Sequence, residues 1–132
     1  MSNVRVTLEI RNAQLNLLRA SLCGGTMTVY TGPQPPSPET AITGQKKLAT
    51  LTLSDPCSAV AADATLRFGS VYQDDSAAEN GRAVWVRFAS SSGRAVFDCD
   101  AAERDATVII KPAEIRVGGP VRCTSITLTL EG

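Results

Sequence analysis

Apolar and polar residues alternate from the start of the chain, where Val4, Val6, Leu8 and Ile10 are interleaved with Arg5, Thr7 and Glu9. A period of two places every second side chain on one face of an extended segment, so residues 4–10 are predicted as a first strand. The period then changes. Leu15, Leu18 and Leu22 recur at three- and four-residue spacing, Asn12 can cap the start, and Gly24 and Gly25 can end the run. This predicts one short helix over residues 12–23.

Strand chemistry resumes at residues 27–31 and breaks at Gly32, Pro33, Pro35, Pro36 and Pro38, because proline cannot donate to a ladder. A loop is therefore expected as far as Gly44. Residues 48–53 and, more weakly, 66–72 read as strands, and the small polar run at 73–81 reads as a turn. Residues 82–90 (RAVWVRFAS) carry the strongest strand pattern and turn through Ser91, Ser92 and Gly93 into residues 94–98, a hairpin signature. Short strands follow at 107–110, 115–117 and 121–130. In the last of these the apolar phase shifts from Val121 and Cys123 to Ile126, Leu128 and Leu130, which predicts a bulge near Thr124 and Ser125.

About eight or nine short strands with frequent turn signals point to an all-β fold. The expected architecture is an antiparallel β-sandwich, jelly-roll-like or alternatively immunoglobulin-like, with one short helix near the N-terminus. A length of 132 residues predicts one domain, residues 1–132, with residues 1–25 forming an N-terminal arm plus the helix. Thirteen basic residues balance thirteen acidic ones, so neither a nucleic-acid nor a membrane partner is expected. Apolar runs stop short of a membrane span, and the N-terminal residues lack the pattern of a secretory leader.

Candidate chemistry is sparse. The chain has no His, which removes Ser-His-Asp and Cys-His nucleophile systems and His-containing metal sites. Asp98, Asp100, Glu103 and Asp105 form one acidic run, and Asp74, Asp75 and Glu79 another; both are expected to be solvated loops rather than cation sites. No cofactor, metal or catalytic residue is predicted, and the chain is not expected to be an enzyme. Cys23, Cys57, Cys99 and Cys123 lack a C-x-x-C pair and are expected as reduced core thiols, with disulfides as the alternative. Trp85 is expected either to pack its own strand or to anchor an interface.

The order of motifs adds to this. Thr28-Val29-Tyr30-Thr31-Gly32-Pro33-Gln34-Pro35, Ile42-Thr43-Gly44, Leu48-Ala49-Thr50-Leu51-Thr52-Leu53-Ser54, Gly81-Arg82-Ala83-Val84-Trp85-Val86-Arg87-Phe88 and Thr124-Ser125-Ile126-Thr127-Leu128 follow one another over most of the chain. In this the sequence resembles small structural proteins of tailed bacteriophages and prophages, although Val86 stands where a Phe is frequent and the cysteines are outside the pattern. The resemblance implies a virion component made in the bacterial cytoplasm, in first place a capsid decoration protein bound to the head lattice. Tail, connector or fibre-base components are the alternative, and a carbohydrate- or ligand-binding β-sandwich is a further one. Implied partners are the major capsid protein or tail and connector proteins, together with further copies of the chain in a homo-oligomer such as a trimer. The expected contact residues are Val4, Val6 and Leu8 of the first strand, Pro33, Pro35 and Pro36 of the loop, and Trp85.

Overall fold

In the computed structural model, residues 6–54, 58, 60–68 and 72–130 are described. Among the described residues, helix α1 (Leu8–Leu22) precedes ten strands: β1 (Thr26–Tyr30), β2 (Lys47–Thr52), β3 (Thr65–Arg67), β4 (Tyr72–Asp74), β5 (Gly81–Arg82), β6 (Trp85–Ala89), β7 (Ala95–Ala102), β8 (Val108–Ile110), β9 (Glu114–Ile115) and β10 (Val121–Thr129). The main sheet runs β2-β1-β6-β7-β8-β10-β3, with β4 also pairing to β10, while β5 and β9 form a small second sheet. All pairs are antiparallel except β7 with β8. The result is a predominantly β, sandwich-like fold made by curling a mixed sheet, with one helix near the N-terminus.

Side-chain alternation decides which face is inside. Met27 and Val29 of β1, Val86 and Phe88 of β6, Val108 and Ile110 of β8, and Val121 and Cys123 of β10 are all buried in one continuous core. Phe88 stacks on Phe97 across the β6–β7 pair, with ring centroids 4.5 Å apart. The curl also brings the β2 edge towards β4. The Thr50 N–H donates to Asp74 Oδ2 at 3.1 Å, and the Ala78 N–H donates to the Leu48 carbonyl at 2.8 Å. These bonds occupy part of an edge that would otherwise offer unpaired backbone to another strand.

The predicted bulge is present. The β8–β10 register shifts between Cys123 and Ser125, and burial passes from Val121 and Cys123 to Ile126 and Leu128. Residues 82–90, by contrast, do not form one strand. Gly81–Arg82 pairs with β9, the Ala83 and Val84 N–H groups bond to Ala113 and Tyr30 carbonyls, and a new strand begins at Trp85. An apolar alternation continues through this break, so side-chain pattern alone does not show it.

The first strand is corrected. Residues 8–10 are helical, and α1 begins four residues before the predicted start because Thr7 rather than Asn12 is the cap: its hydroxyl accepts from the Ile10 N–H at 3.3 Å. Starting at Leu8 adds a capped first turn to the helix that buries Leu15 and Leu22 fully, roughly 1.5–3 kcal/mol each. Gly25 marks the close approach that ends this region. A Cβ there would overlap the Ala89 carbonyl oxygen, so only glycine lets the helix exit pass against β6.

Candidate interaction surface

Helix α1 has three faces with different tasks. The first carries Leu15 and Leu22 into the core, with Leu18 packed beside them. The second is polar and also turned inward: Asn12 Oδ1 accepts from the Ala64 N–H, Asn16 Oδ1 accepts from the Ala61 N–H, both at 2.8 Å, and Arg19 Nε donates to the Ser58 carbonyl at 2.9 Å. These three residues recur at helical spacing and satisfy backbone groups of Ser58, Ala61 and Ala64, which lie outside the regular strands. The third face is exposed. It contains Ile10, Ala13, Leu17 and Ala20, with Ile10 48% and Leu17 70% exposed.

An amphipathic helix on a sheet normally turns its polar side to water. Here the polar side is spent on the protein's own backbone, and an apolar stripe is left facing solvent. Val60, next to Ala61 whose N–H is held by Asn16, is 68% exposed as well. Beside the helix, a groove of about 280 Å³ is lined by Leu15, Leu18, Phe97, Cys99, Leu128 and Leu130. It lies where the short β8 lets β7 and the end of β10 separate. Arg11 reaches the same region and donates to the Leu130 carbonyl at 3.3 Å.

The expected contact residues scatter. Val4 lies outside the described residues; Val6 is half-buried, and Leu8 is the first residue of the helix, 45% exposed. Pro33 and Pro36 are exposed, whereas Pro35 is buried. Trp85 is wholly buried on the outer face of β6, stacked on Tyr30 at 4.7 Å, with its indole N–H donating to the Thr31 carbonyl at 2.8 Å. It packs its own fold and presents nothing to a partner.

The proline-rich loop crosses that outer face and is pinned there. Arg87 forms a bidentate pair with Asp98, at 2.8 and 3.0 Å, and its remaining donors reach the Thr40 carbonyl at 2.9 Å and the Ser37 carbonyl at 3.3 Å. The guanidinium also lies 5.3 Å from the Trp85 ring centroid. Hydrogen bonding to Asp98 raises the Arg87 pKa, and burial raises that of the Tyr30 phenol, partly offset by the Arg87 charge. The loop is thus a fixed cover.

The acidic runs are corrected in part: Asp75, Glu79 and Asp105 are exposed in bends as expected, whereas the other four carboxylates are structural. Asp98 and Asp100 lie within β7. Asp100 accepts from both the backbone and the hydroxyl of Thr107, Glu103 accepts from the Ala113 N–H, and Asp74 accepts from the Thr50 and Ser76 N–H groups. Asp74, Asp100 and Glu103 thus satisfy turn or strand-end backbone, while Asp98 pairs with Arg87. Among the described residues, no three His, Cys, Asp or Glu side chains are grouped to hold a metal.

The cysteines also divide. Cys23 is disulfide-bonded, which corrects the expectation of four reduced thiols, while Cys99 and Cys123 are free; Cys57 lies outside the described residues. Burial pushes the Cys123 thiol up to about 11 and raises Cys99 further still, with Asp100 and Asp98 adding to the effect. Neither is an activated nucleophile, since thiolate is the reactive form.

The exposed helix face had a sequence signal. Ile10, Ala13, Leu17 and Ala20 follow 3-4-3 spacing, but the leucines at 15, 18 and 22 define a second apolar face, and only one of the two can be the core. No protein-family model, curated protein or solved structure matches this chain.

Proposed function

We propose that this chain is a structural component of a tailed-bacteriophage particle, made in the bacterial cytoplasm and assembled into the virion as a decoration protein on the head lattice. The observation that carries the proposal is the solvent-facing apolar stripe of α1 on a domain in which Asp74, Asp100 and Glu103 serve as backbone acceptors. Contiguous apolar surface of this kind marks a contact site. The motif order shared with small phage structural proteins supplies the class of partner. The Cys23 disulfide accords with a protein that works outside a reducing cytoplasm.

A carbohydrate-binding role would require aromatics presented in a groove, and the sole Trp is buried. The test is mass spectrometry and electron microscopy of particles produced from the genome that encodes the chain. A fixed copy number at regular head-lattice positions is the expected result. Density confined to the tail or connector would replace the head assignment, and absence from particles would overturn the proposal.

A further inference from the structure

The exposed face of α1 carries more information than its hydrophobicity. Its residues alternate in size: Ile10 large, Ala13 small, Leu17 large, Ala20 small, all at seven-residue repeats of two interleaved positions. In heptad terms the large residues occupy one seam position and the small residues the other. A parallel partner would stack large on large and small on small, leaving underfilled Ala–Ala layers between filled ones. An antiparallel copy behaves differently, because each seam position then faces the other type.

The numbers close on themselves. A twofold axis passing the helix at Leu15 sets Ile10 opposite the partner subunit's Ala20 and Ala13 opposite the partner subunit's Leu17. The same operation repeats both contacts in reverse. Every large side chain meets a small one, which is the condition for an isologous interface and for close helix approach at the shallow crossing angle of 3-4 packing. The flanks agree with this. Gln14, Asn16 and Ser21 are uncharged, the exposed Glu9 falls opposite the partner subunit's Ser21, and Arg11 and Arg19 are turned inward onto the Leu130 and Ser58 carbonyls, so no like charges oppose one another near the axis.

We infer that α1 pairs with α1 of a second copy, antiparallel and twofold, through Ile10, Ala13, Leu17 and Ala20. This rests on the reading of that face as a contact surface. A seam of four residues is short, so pairing is reversible and depends on concentration. In a particle it would join neighbouring copies.

The experiment is sedimentation of the purified full chain over a concentration series, with circular dichroism confirming the fold of each variant. Wild type is expected to pass from monomer to dimer. Leu17→Ala removes the large partner and should weaken dimerisation about tenfold or more. Ala13→Leu should do the same by overfilling the opposing layer. The double swap Ala13→Leu with Leu17→Ala keeps one large and one small residue in every layer of an antiparallel pair and should restore dimerisation towards the wild-type level. A wild type monomeric at every concentration overturns the inference, as does a double variant no better than the single ones. Particle incorporation is read separately: a monomeric protein that still enters virions would overturn this pairing alone, whereas a dimer absent from particles would overturn the virion proposal alone.

Discussion

The side-chain carbonyl of Asn12, in the middle of the helix, accepts a 2.8 Å hydrogen bond from the backbone N–H of Ala64, fifty-two positions along the chain. Ala64 and Asp63 both have positive φ, 55° and 53°, in a tight turn where Ala62 and Thr65 exchange backbone hydrogen bonds. Residues with a Cβ enter that region at a cost. The helix therefore holds an unfavourable turn in place, and Leu130 closes it from the other side by donating its N–H to the Ala64 carbonyl.

Replacing Asn12 with Ala is expected to destabilise the fold by about 1–2 kcal/mol, because the Ala64 N–H loses its acceptor in a partly buried site. Asn12→Asp keeps an acceptor oxygen and should lose less. Urea denaturation of both variants measures the difference; equal losses would show that the hydrogen bond is not what Asn12 contributes.

Arg87→Leu should be costlier. Asp98 has a side chain only 3% exposed, and removing its bidentate partner strands a buried carboxylate, at about 3–5 kcal/mol. The Ser37 and Thr40 carbonyls lose their donors at the same time, so the loop should become a preferred site of limited proteolysis. Arg87→Lys should recover little, since an ammonium cannot reproduce the planar fork. A wild-type cleavage pattern for Arg87→Leu would show that the loop is held by something else.

Trp85 gives an optical test of its burial. Its emission should be that of an apolar site, resist quenching by acrylamide, and shift to longer wavelength only on unfolding. Oligosaccharides should leave it unchanged. Quenching in the native protein at the rate of a free indole would contradict the stacked arrangement with Tyr30.

The free thiols predict both reactivity and a pH dependence. Cys99 and Cys123 should resist alkylation in the native protein and react readily in denaturant, whereas Cys23 should require a reductant. For Cys123, folding raises the thiol pKa from 9.0 to about 11. The folded state therefore holds this proton more tightly than the unfolded one. The stabilisation is complete below about pH 9 and is lost as pH rises towards about 11. Denaturation midpoints between pH 8 and 11 should fall for the wild type and fall less for Cys123→Ala.

Much of the β framework was legible from residue pattern. The strands near residues 27–31, 48–53 and 121–130, the hairpin after Ala89 and the bulge at Cys123 all follow from which residues alternate and which turn. Such features are local, because the pleat allows only two faces and a bulge must occur where the apolar phase changes. Residues 8–10 were misread for the same reason. Leu8 and Ile10 satisfy a strand alternation over so short a span, and only the Thr7 cap and the distant sites filled by Leu15 and Leu22 make the helix the better arrangement.

Sequence by itself determined the predominantly β character, the presence of a helix near the N-terminus and the proline-rich break after β1, all set by local periodicity and proline's missing donor. Tertiary structure alone decided which face of α1 is left in water. Two apolar faces compete for one core, and the choice is made by Ser58, Ala61 and Ala64, whose backbone groups require Arg19, Asn16 and Asn12 beside them. Those hydrogen bonds fix the rotation of the helix about its axis and leave Ile10, Ala13, Leu17 and Ala20 outward, because a buried unpaired backbone group costs more than an exposed leucine.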